Sequence, residues 1–360
     1  MHALAIIIGV LTVVGVLADM INTLVTTTTS SWKWWLSRVV TRGTWRVTRT
    51  IALLVPPGRR REALLSVYAP TLVLVLLGTW VLQQIVGFAL IWWGIGGISG
   101  VDSLVDDIYY SGVVFFTVGF GEVVPASTIP RFGALAEAFT GVLTTALVIG
   151  YLPALYSAYS DRERLLMTLD DGTEGRLTPT NLICAWAPDA EPERINARFR
   201  EWENWVTGVL ETHTTHPMLR LFRSHHEGQN WITALGVMCD AALHAQIIVG
   251  AKDRDGYWFL RRATVLFQEL TNGVDLTAYE VADAEASAST NQVLFLELYQ
   301  RLESHGFELI PFEEARAETL HLRAVWSPAM EYLIDALLTP RGFWGHKIGL
   351  ASQRATHFYD

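Results

Sequence analysis

Cysteine is scarce in this chain. Only Cys184 and Cys239 occur among its 360 residues. They fit no disulfide or zinc pattern, so a disulfide-rich secreted domain is excluded, and a reducing compartment suits the segment that carries them. The sequence also lacks a Ser/His/Asp or Cys/His grouping of the kind that nucleophilic catalysis needs. It therefore does not predict an enzyme.

Charged residues are also few, and their balance is acidic. They make up 18% of the chain, with 36 acidic residues against 27 basic ones. Proteins that bind nucleic acids usually carry a basic surface. We therefore expect no nucleic-acid partner.

Apolar residues are abundant, at 51% of the chain with 14 Trp. Three apolar segments, at 3–25, 65–93 and 131–159, are each long enough to cross a bilayer, which takes about 20 residues. No Lys or Arg precedes the first segment, which argues against a secretory signal peptide. The sequence therefore predicts an all-α protein with three transmembrane helices.

The charges divide the chain into parts. Residues 1–160 hold 7 acidic and 9 basic residues, whereas residues 161–360 hold 29 acidic and 18 basic ones. The charged run at 161–164 is expected to mark the exit from the membrane into water. The predicted domains are an N-terminal transmembrane helix at 1–29, a basic connector at 30–64, a module with two spans at 65–160, and an acidic helical domain at 161–360.

The connector carries a basic stripe at helical spacing, formed by Arg38, Arg42, Arg46 and Arg49. Its tryptophans are Trp32, Trp34, Trp35 and Trp45. Basic residues combined with Trp are typical of a helix lying in the membrane interface, with membrane lipids, anionic ones included, as its partner. An ordinary solvated basic face is the alternative. Asp19, near the end of the first span, either has a function or reaches the lipid headgroups.

A short helix and a glycine-rich turn lie between the second and third spans. Ser103 and Asp106 have the spacing of a capping box, which predicts a helix beginning near Leu104. In the segment after it, Gly119 and Gly121 can adopt backbone angles that other residues avoid. Such a run can turn consecutive carbonyl groups to one side, where a ring of copies would replace the water shell of an ion.

The run consists of Thr117, Val118, Gly119, Phe120 and Gly121. It resembles the selectivity filter of potassium channels, and residues 66–160 resemble bacterial potassium channels of the minimal-pore type. By this resemblance the five residues would bind permeating potassium, Tyr109 and Tyr110 would brace the filter, and Pro125 would follow it. The chain departs from the family at Glu122, where Asp is commoner, and at Phe116, where a small hydroxyl residue is usual.

The resemblance also implies an assembly and a location. It implies passive potassium conduction through a homotetramer, because each chain supplies one pore loop, with no cofactor or metal beyond the permeant ion. The basic connector would lie in the cytoplasm, with the N-terminus outside and residues 161–360 in the cytoplasm. A filter that enters the membrane from outside requires the same topology. We therefore expect a multi-pass protein of the plasma (inner) membrane.

Acidic residues cluster around the proposed pore mouth. They are Asp102, Asp106, Asp107 and Glu122, against one base, Arg131. A cluster of one sign concentrates ions of the opposite sign, here cations.

Two residues of the third span have predicted roles. Gly141 lies where the resembling channels have a glycine hinge in the inner helix, but glycine also permits close helix packing, and both alternatives stay open. Glu137 is expected to face protein and to bond to the back of the pore helix.

The C-terminal domain is predicted to be helical. The expected helices lie at 193–211, 225–249, 257–271, 276–304, 312–325 and 328–339, with a short one opening at Pro217. Ser224 and Glu227 would form a capping box for the second of these. His213, His216, His225, His226 and His244 match no metal motif, and we expect cap and surface histidines rather than a metal or proton-sensing site.

No nucleotide-binding glycine pattern occurs in the C-terminal domain, and its ligand and the gating stimulus stay open. We expect the domain to regulate opening and help assembly without selecting ions. The alternatives for the whole chain are a weakly selective cation channel, and a membrane-anchored receptor or enzyme acting through the C-terminal domain.

Overall fold

A computed structural model describes residues 2–24, 36–169, 178–224, 230–252, 254–289 and 292–340. The predicted fold class is confirmed, because the protein is all-α with one two-stranded β-ladder. By internal contacts it divides into two units, residues 1–54 with 67–157, and residues 55–66 with 158–360.

The first unit contains most of the predicted membrane part. Its elements are α1 (His2–Leu24), α2 (Leu36–Leu54), α3 (Arg59–Ile95), β1 (Ile98–Ser99), α4 (Leu104–Phe115), β2 (Val124–Pro125) and α5 (Thr128–Leu166). The division between the units falls within α3 and α5. The helices α1, α3 and α5 are long and apolar enough to cross a membrane, as predicted.

Helix α1 packs against α3 where both helices have small residues. A Cβ atom added to Gly9 would lie 2.5 Å from the carbonyl oxygen of Gly87. Such an approach of two helix backbones is possible only with glycine and is common between membrane helices.

Asp19 does not reach solvent. It is buried, and its carboxylate accepts hydrogen bonds from the Ser37 backbone N–H (3.0 Å), the Ser37 hydroxyl (2.8 Å) and Trp80 Nε1 (2.8 Å). A carboxylate at the first turn of a helix is favourable, because the backbone N–H groups there have no partner within the helix. Asp19 thus fixes the start of α2, which corrects the expectation that it reaches the headgroups.

The connector forms the predicted helix, α2. Of the basic stripe, Arg42, Arg46 and Arg49 are exposed and Arg38 is half-buried. Trp45 packs on Tyr68 with 5.0 Å between ring centroids. The other three tryptophans of the connector lie outside the described residues.

The second unit is built around one buried helix. Its helices are α6 (Pro179–Trp186), α7 (Pro192–Thr215), a 3-10 helix (Pro217–Leu221), α8 (Trp231–Gln246), α9 (Asp255–Leu270), α10 (Thr277–Ser289), α11 (Gln292–His305), α12 (Phe312–Ala324) and α13 (Ser327–Leu337). Every residue of α8 is buried, which suits a helix that is apolar on nearly all sides. Helices α6, α9, α12 and α13 pack around α8.

Most predicted helices of this unit are present, with three differences. The helix expected at 276–304 is described as two helices, α10 and α11, with residues 290–291 outside the described residues. Helix α6 was not predicted. Helix α8 begins at Trp231, where the Asn230 side chain accepts from the Ile232 N–H at 2.9 Å, and not near His225. The predicted partner Glu227 lies outside the described residues, and the Ser224 hydroxyl donates instead to Glu163.

Candidate functional site

The helix before the glycine-rich turn has the predicted cap. The Ser103 side chain accepts from the Asp106 N–H, and the Asp106 carboxylate accepts from the Ser103 N–H at 2.9 Å. This reciprocal capping box places the start of α4 at Leu104. The Asp106 carboxylate is therefore engaged in the cap, and Asp106 is half-buried.

The turn that follows has an alternating backbone. Residues Thr117, Gly119 and Gly121 have positive φ values of 55°, 61° and 85°. Val118 and Phe120, between them, are exposed by 50% and 69%. When left-handed and right-handed residues alternate, successive peptide groups turn the same way, so carbonyl groups can share one side of the chain. Gly119 and Gly121 thus adopt backbone angles of the kind predicted for them, whereas the positive φ of Thr117 was not predicted.

The start of the turn is held by the end of α4. The Thr117 N–H donates to the Val114 carbonyl and the Val118 N–H donates to the Val113 carbonyl, both at 2.9 Å. The carbonyl end of a helix carries partial negative charge. Any cation at this point would therefore meet a favourable potential.

The end of the turn is held by a side chain and a short ladder. The Tyr109 hydroxyl donates to the Glu122 carboxylate, one residue beyond Gly121. Strand β1 pairs antiparallel with β2, with Ser99 opposite Val124. Tyr110 is buried and packs edge-on against Trp92, with 5.8 Å between ring centroids.

The four acids of the predicted pore mouth differ in exposure. Asp102 and Glu122 are exposed, Asp106 is half-buried in the cap, and Asp107 is buried. Of these four residues, Asp102 and Glu122 are thus the exposed ones, and Glu122 also accepts the hydrogen bond from Tyr109.

The predicted hinge glycine lies against the end of α4. A Cβ atom on Gly141 would lie 2.0 Å from the carbonyl oxygen of Phe115. Helix α5 runs unbroken through this point and has Pro153 further on. The close approach supplies a packing reason for glycine here, while bending at Gly141 stays a prediction.

Glu137 bonds to the back of α4, as predicted. It is fully buried, accepts from Trp92 Nε1 at 2.7 Å, and is hydrogen-bonded to the Ser111 hydroxyl. Ser111 also donates to the Ile85 carbonyl at 2.8 Å. The contact joins α3, α4 and α5. Sequence reasoning missed Trp92 and Ser111 as partners, since neither residue carries a local signal for this contact.

The charged run after the inner helix is only partly solvated. Asp161 and Arg164 form an exposed ion pair. Arg162 and Glu163 are buried, which corrects the prediction that the whole run enters water. The Arg162 guanidinium donates to the Leu219 carbonyl at 2.9 Å and to Glu163 at 2.9 Å.

A second arginine of the second unit, Arg223, has a side chain that is only 8% exposed. It pairs with Glu62, at the start of α3, at 3.3 Å and donates to the Leu337 carbonyl at 2.5 Å. The Arg223 side chain therefore joins the first turn of α3 to the C-terminal domain.

His213 and His244 are buried, which corrects the expectation that these histidines lie at caps or on the surface. Burial, aided by the neighbouring Arg162, lowers the pKa of His213 well below its ordinary value. Burial also lowers the pKa of His244 to about 3. His225 and His226 lie outside the described residues, within which no group of three or more His, Cys, Asp or Glu is placed to hold a metal.

Comparison with known proteins gives a match in the part of the chain that contains the glycine-rich turn at 117–121. A family model described as an ion channel matches residues 71–157. No curated protein and no solved structure matches the chain. The match covers less than half of the chain, and together with three helices long and apolar enough to cross a membrane it supports a membrane-embedded ion-channel module at these residues.

Proposed function

We propose that the protein is a potassium-selective channel in which four copies of the chain surround one pore. The observation that carries the proposal is the alternating backbone of residues 117–121, held between α4 and the β-ladder. Filters that strip the water from potassium use rings of such carbonyls. In this proposal Thr117, Val118, Gly119, Phe120 and Gly121 supply them.

A single chain leaves this segment uncovered. Val118 and Phe120 are exposed, and so are Phe132, Leu135 and Phe139 on α5. Large exposed apolar side chains next to a polar backbone need cover from lipid or protein. Copies of the same chain around a four-fold axis would cover them and would close the ring of carbonyls.

The chemistry of the site supports cations over anions. Glu122 and Asp102 are exposed near the turn, and the carbonyl end of α4 points its partial negative charge towards it. Conduction would be passive, with potassium as the permeant ligand. We assign the multi-pass protein to the plasma (inner) membrane, with the N-terminus outside and the second unit in the cytoplasm, because α2 is the basic connector.

The second unit, in this proposal, regulates opening and assembly and does not select ions. It begins within α5, so a rearrangement of the unit would act on the end of that helix. A ligand could shift opening only by preferring one state of the unit over the other.

The test is to record currents from purified protein in planar bilayers that separate a potassium solution from a sodium solution. We expect unitary currents that reverse near the potassium equilibrium potential. Reversal near zero would indicate a weakly selective cation channel. Absence of any current from correctly inserted tetramers would favour a membrane-anchored receptor or enzyme.

A further inference from the structure

Glu137 lies at a point where α3, α4 and α5 meet. Its carboxyl group bonds Trp92 of α3 through Oε2 and Ser111 of α4 through Oε1. The only Lys, Arg or His between residues 61 and 162 is Arg131. Within the described part of the chain no ion pair involves Glu137. A buried, unpaired carboxylate is costly.

The hydrogen bonds around Ser111 are short of one proton if Glu137 is ionised. The Ser111 hydroxyl lies within bonding distance of two oxygens, the Ile85 carbonyl and Glu137 Oε1. A hydroxyl group has one proton to donate. The Ile85 carbonyl can only accept, and so can an ionised carboxylate. A protonated Glu137 would supply the missing proton, leaving Ser111 free to donate to Ile85.

Asp19, another buried acid of the first unit, shows the opposite arrangement. Three donors reach it, the Ser37 N–H, the Ser37 hydroxyl and Trp80 Nε1. Each donor brings its own proton, so a carboxylate at this position needs none. Burial alone therefore does not decide whether a carboxyl group needs a proton, because the number of donors that reach it differs between Asp19 and Glu137.

We propose that Glu137 is protonated in the folded channel and that its carboxyl proton, donated to Ser111, positions the pore helix α4. Its effect on ion selectivity rests on the proposed function; its protonation does not. Ser111 and Phe115 lie one turn apart on α4, and Glu137 and Gly141 lie one turn apart on α5. The same two helix faces thus meet at a hydrogen bond and at the close contact of Gly141 with the Phe115 carbonyl.

Few ionisable groups surround this site. On α4, Tyr110 is buried with its ring against Trp92, and Asp107 is buried one turn before Ser111. On α3, no ionisable residue other than Tyr68 lies between residues 63 and 95. A negative charge on Asp107 would disfavour a second one on Glu137, and Tyr110 carries no positive charge. Both residues are therefore compatible with a protonated, neutral Glu137.

The direct test is infrared spectroscopy of the full-length protein in bilayers at neutral pH. We expect wild type to show a protonated carboxylic-acid C=O band that Glu137→Gln removes. Asp19→Asn is the matched control, and it should leave that band unchanged. If Glu137→Gln removes only carboxylate intensity, the proposal is wrong, whether or not the protein conducts potassium.

The functional test uses side chains that separate proton donation from volume. In Glu137→Gln the amide N–H₂ can donate to Ser111 and the amide oxygen can accept from Trp92, so we expect the wild-type reversal potential. Glu137→Met keeps the length without either bond and should lose potassium current. Currents of Glu137→Met equal to wild type, or a loss in Glu137→Gln equal to that in Glu137→Met, would overturn the positioning role. A wild type without potassium selectivity would instead refute the proposed function and leave the infrared result standing.

Discussion

The Cα atom of Gly141 on α5 lies so close to the Phe115 carbonyl at the end of α4 that a Cβ atom there would sit 2.0 Å from the oxygen. Phe115 is two residues before Thr117, so the inner helix touches the base of the proposed filter through its backbone. Any side chain at position 141 must push α4 and α5 apart, because the obstructing atom belongs to the main chain.

Gly141→Ala tests this contact. We expect it to abolish potassium current and weaken the tetramer on mild-detergent gels. Gly150→Ala is the matched control, because a Cβ there would meet no atom within 4 Å apart from its chain neighbours and the nearby backbone of its own helix, and Ala favours a helix by up to ~1 kcal/mol over Gly. If Gly141→Ala conducts with normal selectivity and alters only open probability, the hinge interpretation is the better one.

Gly119→Ala tests the filter. Gly119 has a φ of 61°, which Ala adopts only at a cost of roughly 1–2 kcal/mol, and the carbonyl alternation depends on that angle. We expect insertion to be normal and potassium-selective current to be lost in bilayer recordings. Phe120→Tyr, which leaves the backbone unchanged, should conduct as wild type. Normal selectivity in Gly119→Ala would contradict the filter assignment.

The basic stripe on α2 predicts a dependence on anionic lipid. Each basic residue near an anionic surface contributes about 1 kcal/mol of attraction. Replacing the four stripe residues with Gln should therefore remove any gain in channel activity that anionic lipid gives to wild type. The measurement is open probability in neutral and in anionic bilayers. The stripe is Arg38, Arg42, Arg46 and Arg49.

The control variant for this experiment lacks the same number of positive charges, removed from the second unit instead. Four exposed arginines there can be replaced with Gln, namely Arg194, Arg198, Arg200 and Arg262. That variant should keep the lipid dependence of wild type. Equal activity of wild type in neutral and anionic bilayers would refute the prediction.

Arg223 predicts a link between the C-terminal domain and opening. Its side chain is buried, pairs with Glu62 and bonds the Leu337 carbonyl. Removing the Arg223 side chain breaks its ion pair with the partly exposed Glu62 and its hydrogen bond to the Leu337 carbonyl, which loosens the contact between the start of α3 and the C-terminal domain. We expect Arg223→Ala to change open probability at an unchanged reversal potential. Arg220→Ala, at an exposed neighbouring residue, should change neither open probability nor reversal potential. A changed reversal potential in an intact tetramer would argue against this division of labour.

His244 predicts acid sensitivity of the C-terminal domain. Burial, with a smaller effect from Arg323, lowers its pKa to about 3, so below about pH 6.5 the unfolded chain binds a proton there that the folded chain excludes. The free energy of unfolding should then fall by about 1.4 kcal/mol per pH unit between roughly pH 6 and pH 3. Hydrogen exchange of α8 peptides at several pH values measures this.

The variants for this experiment are His244→Gln and the exposed His321→Gln. The first should reduce the slope of α8 stability against pH, and the second should leave it unchanged. Slopes are compared rather than absolute stabilities, because either substitution can shift stability by itself. An unchanged slope in His244→Gln would show that other groups govern the acid response.

Much of the pore region was predictable because its signals are local. A span needs only a long apolar run, a capping box needs two residues three apart, and glycine at positions 119 and 121 favours left-handed backbone there. The helices and the cap of α4 therefore lie where the sequence predicts them. Ion choice at residues 117–121 stays a prediction, since it depends on copies of the chain around the turn.

Contacts between distant residues were decided only by the tertiary structure. Apolar periodicity does not show which face of α5 meets α4, so whether Gly141 serves packing and which donors reach Glu137 could not be read from spacing. The burial of Arg162 was missed for the same reason, because a charged run looks solvated until the carbonyl groups that accept its protons are placed beside it. Sequence alone thus determined the spans, the cap and the glycine-rich turn. Tertiary structure decided the partners of each buried charge, because only packing determines which atoms replace its water.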